Sequence, residues 1–206
     1  MRRGHPTERN RFRLRRFVLD RLVTGFVAGM LFVLLSGASK VRAQAERPSE
    51  YEVKAAFLFN FAKFVEWPAE AFSNPSEPIR LCVLGEDPFG RVLDQAVQDK
   101  SINGRTLMIL RSQQVRGLRA CHILFVGTSE KERLAEIFAA LQGSSALSVG
   151  DTEQFVQSGG AIQFNLQDNR VRFTINLAAA ERARLKISAK LLSLARVVRD
   201  DARKGG

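Results

Sequence analysis

Cys121-His122-Ile123-Leu124-Phe125-Val126-Gly127 is the stretch on which the fold turns. It is nearly pure in apolar side chains, is too short for a buried helix, and closes on a glycine. Such a run reads as a strand buried on both faces, which is the condition of a parallel strand in a sheet covered by helices above and below. Downstream, Ser129-Glu130-Lys131-Glu132 has the form of a capping box, and Leu134, Ile137, Phe138 and Leu141 give the helix after it an inner face. Residues 146–149 form another apolar strand ending in Gly150. Asp151 or Thr152 is then placed to cap a short helix that stops at Gly159-Gly160. There the period changes. Ile162, Phe164 and Leu166 alternate with polar residues, as do Val171, Phe173 and Ile175 after Asp168-Asn169. That pattern predicts an antiparallel hairpin on a two-residue turn. Ile187, Leu191, Leu194 and Val198 share one side of an expected C-terminal helix.

Upstream, residues 106–110 read as a strand entered through the turn Ile102-Asn103-Gly104-Arg105, and residues 79–84 as a strand closing on Gly85. Asp87-Pro88 supplies a cap and a first-turn proline for a helix with Phe89, Val92, Leu93, Ala96 and Val97 on its apolar face. Before the loop at 73–78, Ser49-Glu50-Tyr51-Glu52 opens a helix expected to reach Glu66 and to stop at Trp67-Pro68. Phe57, Phe61, Phe64 and Trp67 form one stripe along it, read as core. Phe59 lies off that stripe and is the candidate exposed aromatic on a partner surface. Strands and helices alternate and a hairpin follows, so the fold class is α/β: a mainly parallel, doubly wound sheet with flanking helices and an antiparallel C-terminal hairpin at the edge.

The formal net charge of +11 is concentrated at the start of the chain. Residues 1–45 carry ten Lys/Arg against Glu8 and Asp20, a net of +8, and the remaining 161 residues carry 22 against 19, a net of +3. The balance after residue 45 is ordinary and indicates no nucleic-acid partner. The leader has an Arg-rich segment from Arg2 to Arg21, an apolar run over 22–35 and Ala43-Gln44-Ala45, the small-x-small pattern of a signal-peptidase site. The run is shorter than the roughly 20 residues that span a bilayer. The expected organisation is a signal peptide over 1–45 and a single domain over 46–206, exported to the periplasm. An uncleaved inner-membrane anchor is the alternative.

The chemical inventory after the leader is thin. His122 is the one histidine there, and it sits in an apolar strand, where a structural residue is the plainer reading. No second histidine exists to share a metal, so neither metal nor cofactor is expected. Gly85-Glu86-Asp87-Pro88-Phe89-Gly90 lacks the glycine spacing of a dinucleotide loop and the Lys-Ser/Thr of a phosphate loop. Glu86 and Asp87 are adjacent, which usually points two carboxylates apart, and Asp87 has a cap to serve. No catalytic group is assigned and the chain is not expected to be an enzyme. Cys82 and Cys121 fall in strands that such a sheet commonly places side by side. A disulfide suits an oxidising compartment, while two buried thiols are the alternative. Gly85, Gly127 and Gly150 end three strands and mark a possible small-ligand crevice, although tight strand-to-helix turns need the same glycines.

The run Tyr51-Glu52-Val53-Lys54-Ala55-Ala56-Phe57-Leu58-Phe59-Asn60-Phe61-Ala62-Lys63-Phe64-Val65-Glu66-Trp67-Pro68 resembles the opening signature of the YfiR-like periplasmic proteins. The resemblance continues through Cys82-Val83-Leu84-Gly85, Pro88-Phe89-Gly90, Ile102-Asn103-Gly104-Arg105 and Cys121 to Val126. It resumes at Leu147-Ser148-Val149-Gly150-Asp151, Gly159-Gly160-Ala161-Ile162, Arg172-Phe173-Thr174-Ile175-Asn176 and Lys186 to Leu192. It implies a non-catalytic periplasmic regulator that binds the periplasmic part of an inner-membrane diguanylate cyclase and represses it, lowering cyclic-di-GMP and biofilm formation. It also implies sequestration of the regulator by an outer-membrane lipoprotein, and a possible homodimer. Some members of that family have a second cysteine pair in the C-terminal half, which this chain lacks. A periplasmic small-ligand-binding protein is the alternative function.

Overall fold

The computed structural model describes residues 48–199, so the leader expected over residues 1–45 lies outside the described residues. Helix α1 (Glu50–Phe64) starts as its sequence requires: Ser49 Oγ accepts from the Glu52 N–H at 3.2 Å, and a Glu52 carboxylate oxygen accepts from the Ser49 N–H at 2.5 Å. It ends two residues earlier than expected, because Val65 and Glu66 become strand β1 (Val65–Glu66). Strand β2 (Ile79–Leu84) matches its apolar run. Helix α2 (Arg91–Val97) begins only after Gly90, and Asp87 does not cap it. One Asp87 carboxylate oxygen accepts from the Phe89 N–H at 2.8 Å and the other meets Arg111 at 2.6 Å.

Strands β3 (Ser101–Ile102) and β4 (Arg105–Ser112) form a hairpin on Asn103 and Gly104, both with positive φ (52° and 79°), as a tight two-residue turn requires. Strand β5 (Ile123–Val126) is shorter than expected, since a 3-10 turn at Leu118–Ala120 delivers Cys121 and His122 just ahead of it. The second expected capping box does not form. Thr128–Arg133 is a 3-10 segment, and Ser129 Oγ accepts from the Glu86 N–H at 3.0 Å before helix α3 (Leu134–Leu141) begins. Strand β6 (Leu147–Gly150) leads into turns rather than the expected short helix, because the Asp151 carboxylate is drawn to Lys54, 97 residues earlier.

Strands β7 (Ile162–Gln167) and β8 (Arg170–Asn176) make the expected hairpin on Asp168 and Asn169, again with positive φ (49° and 56°). Asn176 Oδ1 accepts from the Ala179 N–H at 3.1 Å and so caps helix α4 (Leu177–Arg182). The expected single C-terminal helix is replaced by strand β9 (Lys186–Ile187), helix α5 (Ala189–Leu192) and strand β10 (Arg196–Val198). Two of its expected apolar residues are claimed by distant strands: Ile187 pairs with Val65, and Val198 with Asn176.

Eight strands form one sheet in the order β10-β8-β7-β6-β5-β2-β4-β3, and β1 with β9 forms a separate ribbon. The central pairs β4-β2, β2-β5, β5-β6 and β6-β7 are parallel, whereas β7-β8 and β3-β4 are antiparallel. Successive residues of the central strands serve two different cores. Leu81, Val83, Ile123 and Phe125 face the core covered by α1 and α2, while Cys82, Leu84, Leu124 and Val126 face the one covered by α3. Along α1 the deeply buried line is Ala55, Leu58, Phe61 and Ala62. Phe57, Phe64 and Trp67, expected to be core with Phe61, are half-buried against that line. Phe57 and Phe61 meet Phe164 and Phe173 of the hairpin with ring centroids 5.2–6.1 Å apart, which fixes α1 across β7 and β8. Among the described residues no helix is long and apolar enough to cross a membrane.

Candidate functional site

The carboxyl ends of the parallel strands are where a doubly wound sheet ordinarily holds a ligand. At Gly85, Gly127 and Gly150, where β2, β5 and β6 end, the protein packs closely against the backbone. A Cβ on Gly85, whose φ is +89°, would collide with Ser129 Oγ and lie 2.8 Å from Glu130 Cγ. One on Gly127 would lie 2.9 Å from the Glu86 carbonyl, and one on Gly150 2.6 Å from the Phe155 ring. The three glycines therefore allow close packing at these strand ends. An open groove of about 640 Å³ lies between α3 and α4, with Phe138, Ala139, Gly143, Ser148 and Ala183 in its lining.

A polar cluster that sequence reasoning missed stands at the end of β6. Lys54 is 4% exposed, yet its Nζ meets Asp151 Oδ2 at 2.9 Å and Glu50 Oε1 at 2.5 Å. Tyr51 Oη donates to the same Asp151 oxygen at 3.4 Å, and its ring lies 4.6 Å from the Lys54 ammonium. Burial works to lower the Lys54 pKa, but the hydrogen bonds its ammonium donates to Glu50 and Asp151 outweigh it, so the ammonium titrates above an ordinary lysine. Burial, then the Asp151 charge, raises the Tyr51 pKa and keeps the phenol protonated. Asp151 Oδ1 and Thr152 Oγ1 are buried with no hydrogen-bond partner. The signal in the sequence was a lysine placed among Tyr51, Ala55 and Leu58 on the buried side of α1, four residues after Glu50.

The second cluster surrounds the cysteines. Cys82 and Cys121 form a disulfide with Cα atoms 5.9 Å apart, across the adjacent strands β2 and β5. His122 beside it is 2% exposed. Its Nδ1 accepts from the Arg80 N–H at 3.0 Å and its Nε2 faces the Ala71 carbonyl at 3.0 Å, so the tautomer protonated on Nε2 satisfies both. Phe72 stacks on the imidazole at 4.3 Å, and the Arg105 guanidinium lies 3.8 Å over Phe72. Arg105 also donates to the Asn74 and Glu77 carbonyls, tying down the loop that carries Phe72. Burial lowers the His122 pKa and holds the ring neutral. A backbone hydrogen bond from Ser73 holds the Glu77 carboxyl below the usual range. Each ring nitrogen of His122 is occupied, and Asp87 is committed to its own loop and to Arg111.

Phe59, read as the exposed aromatic, is half-buried and packed against the first core, with Lys100 Nζ 4.9 Å from its ring centroid. The most exposed large apolar side chains are instead Leu194, Leu166, Met108, Leu110 and Val197, on strands and connections at the two sides of the sheet. No group of three His, Cys, Asp or Glu side chains among the described residues is placed to hold a metal ion.

With this geometry in hand, comparison with known proteins is informative about family and fold. A family model described as YfiR/HmsC-like matches residues 51–196. Among solved structures the chain is similar to a conserved domain protein from Vibrio cholerae O1 biovar El Tor, with a TM-score of 0.50 and 10% identity. The match covers 72% of this chain and spans 60% of that protein's length, and at such low identity it speaks to the fold alone.

Proposed function

The chain belongs to the YfiR/HmsC-like family, and on that premise we propose that it is a non-catalytic regulator of the periplasm. In this reading it docks on the periplasmic part of an inner-membrane diguanylate cyclase and holds the enzyme inactive, restraining cyclic-di-GMP and biofilm formation. An outer-membrane lipoprotein relieves the restraint by sequestering the regulator. The observation that carries the reading is the family match, which runs from α1 to the first residue of β10. The engagement of His122 and Asp87 in structural contacts supports a role exercised by surface rather than by chemistry. The presence of a disulfide suits an oxidising compartment.

The test is made in the native cell. Deleting the gene raises cyclic-di-GMP, the tagged protein captures a membrane cyclase from solubilised membranes, and restoring the gene returns the nucleotide to its starting level. Unchanged cyclic-di-GMP on deletion, with no cyclase captured, overturns the proposal.

A further inference from the structure

Over the described residues charge is unevenly divided. Residues 48–159 carry 11 Lys/Arg against 14 Asp/Glu, a net of −3, whereas residues 160–199 carry 8 against 2, a net of +6. The second segment contains β7, β8 and β10, which close one side of the sheet. Within it Arg170, Arg172 and Arg196 are exposed and meet no carboxylate among the described residues.

The strand register puts these three arginines on one face. Arg172 lies across from Asn165, Arg170 across from Gln167, and Arg196 beside Thr174. Alternate residues of a strand share a face, so Arg170, Arg172 and Thr174 point the same way, and Arg196 with them. Phe173 and Ile175 point the other way, into the core beneath α1. Arg170 and Arg172 stand about 7 Å apart along β8, and the next strand is about 4.8 Å away. Like charges so close repel one another. Asp168 in the hairpin turn is the one acidic residue of β7, β8, their turn and β10. The same region exposes apolar side chains: Leu194, Leu166 and Val197 are 61%, 56% and 40% exposed. Leu194 and Val197 stand on either side of Arg196 in the chain, and Val197, in register with Ile175, lies on the face opposite the arginines.

We propose that the β8–β10 side of the molecule rests edge-on against an anionic phospholipid surface. Arg170, Arg172 and Arg196 meet headgroup phosphates there, to which a guanidinium fork is suited. Leu194 and Val197 enter the boundary between headgroups and acyl chains. Charge complementarity selects the occupant. A net of +6 over this segment calls for a partner with many anions, and a bilayer containing anionic lipid also accepts the exposed apolar residues. An acidic protein surface offers carboxylates but has to supply a matching apolar patch as well. The proposal does not depend on a cyclase being the protein's partner.

The experiment is co-sedimentation of the protein, produced from the full-length gene, with vesicles of phosphatidylcholine alone and of phosphatidylcholine with about one-third phosphatidylglycerol. The wild type sediments with the anionic vesicles, stays in solution with the neutral ones, and binds less as salt rises. Arg170→Gln with Arg172→Gln and Arg196→Gln weakens binding to the anionic vesicles on the order of a hundredfold. Its melting temperature is kept, since all three side chains are exposed. The corresponding triple lysine variant retains the charge and stays bound. Arg91→Gln with Arg116→Gln and Lys131→Gln removes the same charge from exposed positions elsewhere and leaves binding within a few-fold of the wild type. Leu194→Ser weakens binding severalfold. A wild type that ignores the anionic vesicles, a folded glutamine variant that still binds them, or an equal loss in the variant at positions 91, 116 and 131 overturns the proposal. So does a Leu194→Ser variant bound as tightly as the wild type, or an acidic membrane protein captured through the same arginines when the vesicles are not bound.

Discussion

His122 shows how one side chain can be informative without being reactive. Its Nδ1 holds the Arg80 N–H and its ring lies beneath Phe72, so protonation removes an acceptor and places a charge where burial opposes it. The folded-state pKa therefore lies below the unfolded value of 6.5. A base with a depressed pKa binds fewer protons folded than unfolded. Its stabilising contribution is complete above about pH 6.5 and declines as the pH falls through that value toward the folded pKa. Arg80 and Arg105 act in the same direction and Glu77 opposes them. The expected result is a melting temperature that drops on acidification below about pH 6.5, with a shallower drop in His122→Gln. Parallel melting curves for the two proteins across that range would remove His122 from the account. Phe59 sits at the same scale. Half-buried against α1's own core and under Lys100, its truncation to alanine should cost about 2 kcal/mol, between the effects of surface and core sites. Chemical denaturation measures this, and a cost near zero would return Phe59 to the role of an exposed docking residue.

At the scale of elements, α1 is attached to the sheet by two kinds of contact. The phenylalanine cluster with Phe164 and Phe173 was legible from the spacing of aromatics, although Phe61 alone of the expected stripe is fully buried. The Lys54–Asp151 pair was not legible, because it joins residues 97 positions apart in the sequence. The same long-range pull explains why the turn after Gly150 is not the helix that Asp151 and Thr152 suggested. Where local chemistry was sufficient, the sequence reading held: the Ser49/Glu52 box, strand 79–84 and the Asp168-Asn169 turn all formed in place. Where tertiary pairing competed with period, as for Ile187 and Val198, the helical spacing lost to strand partners. The ion pair yields a sharp expectation because both side chains are about 5% exposed. Lys54→Met leaves Asp151 charged and buried without its cation, and should cost about 3–5 kcal/mol. Replacing both partners together, Lys54→Met with Asp151→Leu, should recover much of that loss, since no buried charge is left unpaired and Glu50, which also loses Lys54, is 37% exposed to water. Urea unfolding of the two variants decides it, and a single change costing under about 1 kcal/mol would show the pair to be hydrated and weak.

For the whole molecule the disulfide is the only covalent constraint on topology among the described residues, and its position sets what it does. Cys82 lies within β2, and Cys121 lies just before β5, the strand hydrogen-bonded beside it. In the folded state the bridge joins segments that the sheet already holds together, so it adds little to native contacts beyond its place in the second core. Its main effect is on the unfolded chain, where it closes a loop with a sequence separation of 39. The chain-entropy model gives about 4 kcal/mol for a loop of that size. That loop contains α2, β3 and β4, the last two being the outermost two of the eight strands on one side of the sheet. Reduction should therefore lower global stability without changing the folded arrangement of β4 beside β2. The expected outcome of Cys82→Ser with Cys121→Ser is a protein that still folds, with a denaturation midpoint lowered by an amount corresponding to about 4 kcal/mol. Thiol titration of the unreduced, denatured wild type must find no free cysteine for this to hold. Two titratable thiols, or a serine variant as stable as the wild type, would show that the bridge is not what keeps the unfolded chain compact.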